Sequence, residues 1–359
     1  MRVEEILAKE KWTREDLTTL LSLTDKEELK KLYEAAYKMK LDKVGNKVYF
    51  RGIVEFSNIC VKNCDYCGIR KDNKTVERFS LEKEDIIKSA KWAYDNKYGS
   101  MVLQSGERQD EEYVAFVEDV IKDIKNIGDG SLRITLSLGE QSEDTYRRWF
   151  NAGAERYLLR IESSTKEIYN SIHPADHSFE ERVECLTRLR KIGFQTGTGV
   201  MIGIPGQTEA NLADDILFFE KMDIDMIGMG PYVVHSDTPV GKDALNTKEE
   251  KDRRFELGLK MIAVTRLYLK DVNIASTTAL QALNPVGREM GLKAGANVIM
   301  PIITEGPNRK NYQLYDNKPC IDDNAEECKS CLEGRIKSVG DEIGYAEWGD
   351  SKHFENKKK

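Results

Sequence analysis

The sequence predicts an α/β fold, a (βα)8 barrel of TIM type, on three observations. From Lys47 onward, short apolar or β-branched runs alternate with longer amphipathic, charged segments, the repeat that builds a parallel sheet. Eight such runs occur. They span roughly 250 residues, the size of one closed barrel. An open six-stranded barrel followed by a small α/β domain is the alternative arrangement.

The elements follow in order. Residues 1–46 read as helices: "TREDLTTLLSL" opens on Thr13, a good N-cap, and "DKEELKKLYEAAYKMK" has apolar residues at helical spacing. The expected strands are "KVYFRGIVEFS" (47–57), "SMVLQS" (100–105), "LRITLSL" (132–138), "RYLLRI" (156–161), "TGTGVMIGI" (196–204), "DMIGMG" (225–230), "VNIAST" (272–277) and "ANVIM" (296–300). Among the helical segments between them are "EKEDIIKSAKWAYD", "DEEYVAFVEDVIKDIK", "EERVECLTRLRKI" and "EANLADDILFFEKM". We expect the barrel over 47–305 and a cysteine-bearing extension over 306–359. The stretch from Ser338, "SVGDEIGYAEWGDSKHFENKKK", reads as a surface helix with a disordered end.

Composition narrows the setting. The chain has 359 residues and a net charge of −7, so no basic excess exists to neutralise nucleic-acid phosphates. No run of about 18 apolar residues offers a membrane span. The opening "MRVEEILAKEKW" lacks the apolar core of a signal peptide. With seven cysteines, we expect a reduced, cytoplasmic protein that uses thiolates for metal.

Three of those cysteines, Cys60, Cys64 and Cys67, stand in "SNICVKNCDYCGIR", a C-x3-C-x2-C spacing directly after the first strand. Barrel enzymes place reacting groups at that end of their strands. Three local thiolates fit either a zinc knuckle completed by a distant ligand or a [4Fe–4S] cluster with one iron left open. Cys320, Cys328 and Cys331 form a second trio in "CIDDNAEECKSC", which reads as a staple for the C-terminal segment. Cys185 reads as a small buried hydrophobe in its helix.

The C-x3-C-x-aromatic-C pattern, with Tyr66 as the aromatic, resembles the signature of the radical S-adenosylmethionine (SAM) enzymes. That resemblance implies a [4Fe–4S] cluster on Cys60, Cys64 and Cys67 whose open iron SAM chelates. It also implies one-electron cleavage of SAM to a 5′-deoxyadenosyl radical. Other strand ends resemble the family's SAM-binding segments: "LQSGE" with Gln104, Ser105 and Gly106, "TLSLGE" with Ser137, and Glu162 after the fourth strand. Arg182 resembles a residue that pairs with the SAM carboxylate, a role suited to a guanidinium.

Within that superfamily the chain resembles the HydE family of [FeFe]-hydrogenase maturases from about Lys47 to Cys331. "GMGPYVVHSDTP", "STTA", "GANVIMP", "YQLY" and the second cysteine trio carry the likeness. It implies an iron carbonyl–cyanide–cysteine complex as substrate, whose cysteine sulfur the radical attacks. It further implies the maturases HydG and HydF as partners, and an electron donor such as ferredoxin or flavodoxin. The second trio would hold a peripheral, structural [2Fe–2S] or [4Fe–4S] cluster. Arg156 and Arg160, Thr277 and Thr278, and Met300 and Tyr315 are the expected substrate contacts; the two arginines could instead pair with Glu140 or Glu162. The competing readings are a radical SAM amino-acid mutase such as methylornithine synthase and a non-enzymatic Fe–S carrier.

Overall fold

A computed structural model describes residues 3–304 and 306–358. Glu305, the expected end of the barrel, lies outside the described residues. Eight parallel strands form the central sheet: Lys47–Ser57, Ser100–Ser105, Arg133–Ser137, Arg156–Leu158, Gln195–Thr198, Met226–Ile227, Asn273–Ile274 and Val298–Ile299. Each pairs with the next in chain order, and the last pairs with the first through Tyr49↔Val298 and Phe50↔Ile299. A parallel bridge between Ala275 and Val298 joins the seventh to the eighth strand and closes the barrel.

The later strands are shorter than the apolar runs that signal them. The run over 196–204 divides into Gln195–Thr198 and Met201–Ile202. The break falls at Gly199, where a side chain would run into the Gly228 carbonyl just past the sixth strand. Beyond it, Met201–Ile202 pairs with Gly230–Pro231, so both chains continue upward as a small separate ladder above the barrel.

Helices cover the outside. Thr13 caps Arg14–Leu21 in a reciprocal capping box with Asp16, and Asp25 caps Lys26–Lys43. These N-terminal helices pack on Glu209–Lys221 and Lys248–Leu269 and bury Leu17, Leu20, Leu21 and Leu32. Among the described residues no helix is long and apolar enough to cross a membrane.

The C-terminal stretch differs from expectation. Glu342–Ile343 adds a parallel strand beside the start of the first barrel strand. Trp348 to Ser351 then seals the barrel base. The Gly349 carbonyl accepts hydrogen bonds from Arg51 and Asn273, and Asp350 accepts from Arg156 and Gln195. Only then does the expected terminal helix follow, at Lys352–Lys357.

Candidate active site

The opposite end of the barrel opens on a cavity of about 330 Å³. The first strand ends at Ser57, and the chain then crosses the mouth as the cysteine loop. That crossing is tight. A Cβ at Gly106, just past the second strand, would strike the Ile59 carbonyl and the Cys60 side chain. Gly106 N donates to the Ser57 carbonyl at 2.8 Å, Val61 N to the Glu107 carbonyl at 2.9 Å, and Glu107 N to Cys60 Sγ at 3.3 Å. So the glycine is needed first for the loop itself.

Cys60, Cys64 and Cys67 all face the cavity. Burial raises each thiol pKa, that of Cys64 to about 12, and the charges of neighbouring thiolates add to the rise for Cys64 and Cys67. Three ionised thiolates here therefore call for a bound cation. The donor set fits an iron–sulfur cluster held by three thiolates.

Beside the thiols lies a charged network. Arg182 Nε donates to Glu140 Oε1 at 2.5 Å, and Lys62 Nζ donates to Glu140 Oε2 at 2.7 Å. Burial works to raise the Glu140 pKa, but Arg182 and Lys62 outweigh it and hold the carboxyl below its ordinary value. Arg182 Nη1 also donates to the Arg160 carbonyl at 2.8 Å, tying the helix Phe179–Ile192 to the end of the fourth strand. Arg160 lies 2.9 Å from Glu162 Oε2, and Tyr66 OH donates to Glu162 Oε1 at 3.3 Å. Glu162 itself has φ +66°, a left-handed conformation that costs a non-glycine residue roughly 1 kcal/mol or more. Its backbone is held there by hydrogen bonds with Gly199 and Met201.

Every expected contact of the first cluster, of SAM and of substrate lines this one cavity, with a single exception. Gln104, Ser105 and Ser137 end the second and third strands, and Gly106 follows the second. Thr277, Thr278, Met300 and Tyr315 form the far wall; Thr277 Oγ1 is buried there without a partner. The exception is Arg156. It begins the fourth strand instead of ending it, is fully buried, and pairs with Asp350 at the base. The spacing that puts Arg156 and Arg160 on one face also sends them to opposite ends of the barrel. Of the two expected ion pairs, Arg160 forms the one with Glu162, and Arg182 takes Glu140.

The second trio lies away from the cavity lining. Cys328 and Cys331 sit three residues apart in the helix Ala325–Ser338, and Cys320 precedes it at φ +64°. Cys320 and Cys328 interact as a pair, so that one thiol gives up its proton more readily and burial holds the other protonated. Cys331 is exposed and accepts from Arg335 Nε at 3.3 Å.

Sequence reasoning missed three residues of this region. Arg78 spans the cysteine loop: its guanidinium donates to the carbonyls of Asn58, Ile69, Arg70 and Asn73 at 2.6–3.1 Å. Glu55 and Lys318 form a buried ion pair in the cavity wall. A carboxylate in the otherwise apolar "GIVEF" was the available signal for Glu55; Arg78 and Lys318 stand in polar loops that carry none.

A family model described as the radical SAM superfamily matches residues 54–219. The chain is 42% identical over 349 residues to the [FeFe] hydrogenase maturase subunit HydE of Thermotoga maritima, covering 97% of this chain and 96% of that protein. Methylornithine synthase shares the fold, with a TM-score of 0.81 at 24% identity over 96% of this chain and 97% of the other. The FeFe-hydrogenase maturase HydG from Carboxydothermus hydrogenoformans does so with 0.79 at 19% over 98% and 81%. With a cysteine trio at the barrel mouth and near full-length identity of this degree, the chain is a radical SAM enzyme and belongs to the HydE family.

Proposed function

We propose that this enzyme acts in the cytoplasm on an iron carbonyl–cyanide–cysteine precursor during maturation of the [FeFe]-hydrogenase active site. The observation that carries the reading is the 42% identity to a HydE protein across almost the whole of both chains. Cys60, Cys64 and Cys67 would hold the [4Fe–4S] cluster, and Gln104, Ser105, Gly106, Ser137, Glu162 and Arg182 would line the SAM site. When bound, the two together supply a 5′-deoxyadenosyl radical through one-electron cleavage of SAM.

The residues' part is to bind, orient and exclude water. Glu162, steadied by Tyr66 and Arg160, offers a carboxylate to the SAM amino group or ribose. Arg182 keeps guanidinium donors beyond those used on Glu140 and the Arg160 carbonyl, enough to meet a carboxylate. On the far wall, Thr277 holds an unsatisfied hydroxyl, which suits an anionic, cyanide-bearing guest. The buried walls keep bulk water from a reactive intermediate.

Residues 47–305 would form the catalytic unit. Cys320, Cys328 and Cys331 would hold a second, structural Fe–S cluster in the extension. HydG and HydF are the expected partners, and an acidic one-electron carrier such as ferredoxin or flavodoxin the electron donor.

The test is anaerobic maturation in vitro. Reconstituted enzyme, SAM and reductant are added to apo-hydrogenase with the other maturases but no HydE. Hydrogen evolution that requires Cys60, Cys64 and Cys67 supports the reading. Formation of 5′-deoxyadenosine without hydrogenase activity sinks it and redirects the search to amino-acid substrates.

A further inference from the structure

We infer that Glu55 and Lys318 form the subsite for the α-amino group of an amino-acid-bearing substrate. The inference rests on the reading of the cavity as a substrate chamber. Glu55 lies on the first strand, two residues after Ile53; both point inward and line the cavity. It is 3% exposed. Its Oε1 accepts from Lys318 Nζ at 2.5 Å, but its Oε2 is buried without any partner.

An ionised carboxylate is acceptor-only, so Oε2 can be satisfied only by an incoming donor. Leaving it bare costs about 1–3 kcal/mol or more. Lys318 does not meet that need. Its ammonium donates once to Oε1 and once to the Tyr312 carbonyl at 2.9 Å, which leaves one N–H free. The wall therefore presents one open acceptor on a carboxylate and one open donor on an ammonium. That combination matches a zwitterion: substrate ammonium on Glu55, substrate carboxylate on Lys318.

The position is also suitable. Tyr312, on which Lys318 rests, accepts from Gln104 at the end of the second strand, so the pair is continuous with the expected SAM wall. The unpartnered Thr277 hydroxyl lines the same cavity. A guest held at its α-amino acid end by Glu55 and Lys318 would leave its other end to that hydroxyl.

The experiment compares two probes on the reconstituted enzyme by isothermal titration: S-methyl-L-cysteine and 3-(methylthio)propionate, which lacks only the ammonium. We expect the parent to bind the amino acid at least tenfold more tightly. Glu55→Gln should erase that preference while leaving the affinity for the propionate within about threefold. A Glu55→Gln/Lys318→Met variant, which removes the pair as a unit, guards against loss through an unpaired lysine; it should also show no preference. Equal binding of the two probes by the parent, or an undiminished preference in both variants, would overturn the subsite and leave the pair a structural strut. The maturation assay is independent: a parent that fails it but discriminates between the probes loses the proposed function and keeps the subsite.

Discussion

At the scale of single residues, the cavity shows which roles a sequence pattern can carry. Cysteine spacing is local, so Cys60, Cys64 and Cys67 were legible, as were Gln104 to Gly106 at a strand end. Arg78 was not. Its role is to gather carbonyls from Asn58 on one side of the cysteine loop and from Ile69 to Asn73 on the other. No periodicity announces a guanidinium that serves a loop's backbone. Replacing it should open the loop at both ends at once. Arg78→Met is expected to lower stability by about 2–3 kcal/mol and to at least halve the iron retained at the first site. Arg78→Lys, which keeps the charge but not the planar fork, should recover little of either. Iron analysis with thermal unfolding decides the matter; a methionine variant that holds iron and melts like the parent would remove Arg78 from the site. Gly106→Ala is a sharper case. Its methyl group has nowhere to go beside the Ile59 carbonyl and Cys60, so cluster absorbance and SAM cleavage should both fall at least tenfold.

At the scale of elements, the eight strands were legible because apolar runs alternate with amphipathic helices at a regular spacing, and each strand lies where its run predicts. Their ends were less so, since the ladder breaks where Gly199 comes close to Gly228 of the neighbouring strand's continuation and not by local preference. The C-terminal plug was hidden for a related reason. "EWGDS" has no pattern of its own; its meaning comes from Arg51, Arg156 and Gln195, far away in sequence. The same contacts explain why Arg156 is structural. Asp350→Asn would leave this fully buried guanidinium without its counter-charge, at a cost of about 3 kcal/mol. Denaturant unfolding should show that loss, while SAM cleavage per folded chain stays at the parent level. Lost cleavage with unchanged stability would return Arg156 to the substrate. The terminal helix adds a pH dependence. His353 bridges Asp271 and Asp223, and its hydrogen bonds to them raise its pKa above 6.5 although burial opposes the rise. Folding favours the protonated ring, so this contribution is complete below pH 6.5 and is lost as pH rises through the folded value. Hydrogen exchange in Lys352–Lys357 should therefore accelerate as pH rises above 6.5 beyond the intrinsic increase, and His353→Gln should abolish the excess.

For the whole molecule, the arrangement separates chemistry from reinforcement. One end of the barrel gathers thiols, the charged network around Arg182 and the open Glu55 oxygen; the other is closed by the chain's own C-terminal stretch. The second cysteine trio belongs to neither end. Two of its members, Cys328 and Cys331, sit on the helix Ala325–Ser338, which packs against the helix Gly287–Lys293, and Cys328 is part of the hydrophobic core there. A group bound at this trio would act on the cavity only by steadying the wall that carries Tyr315 and Lys318. Cys328→Ala should therefore lower the iron content per chain and cost about 1 kcal/mol from the lost packing. Because Cys60, Cys64 and Cys67 are untouched, 5′-deoxyadenosine formation should continue at more than half the parent rate. Iron analysis, thermal unfolding and SAM cleavage on the same preparation separate the possibilities. A variant that folds and keeps its first-site absorbance, yet cleaves no SAM, would make the second trio part of the chemistry and refute this division of labour.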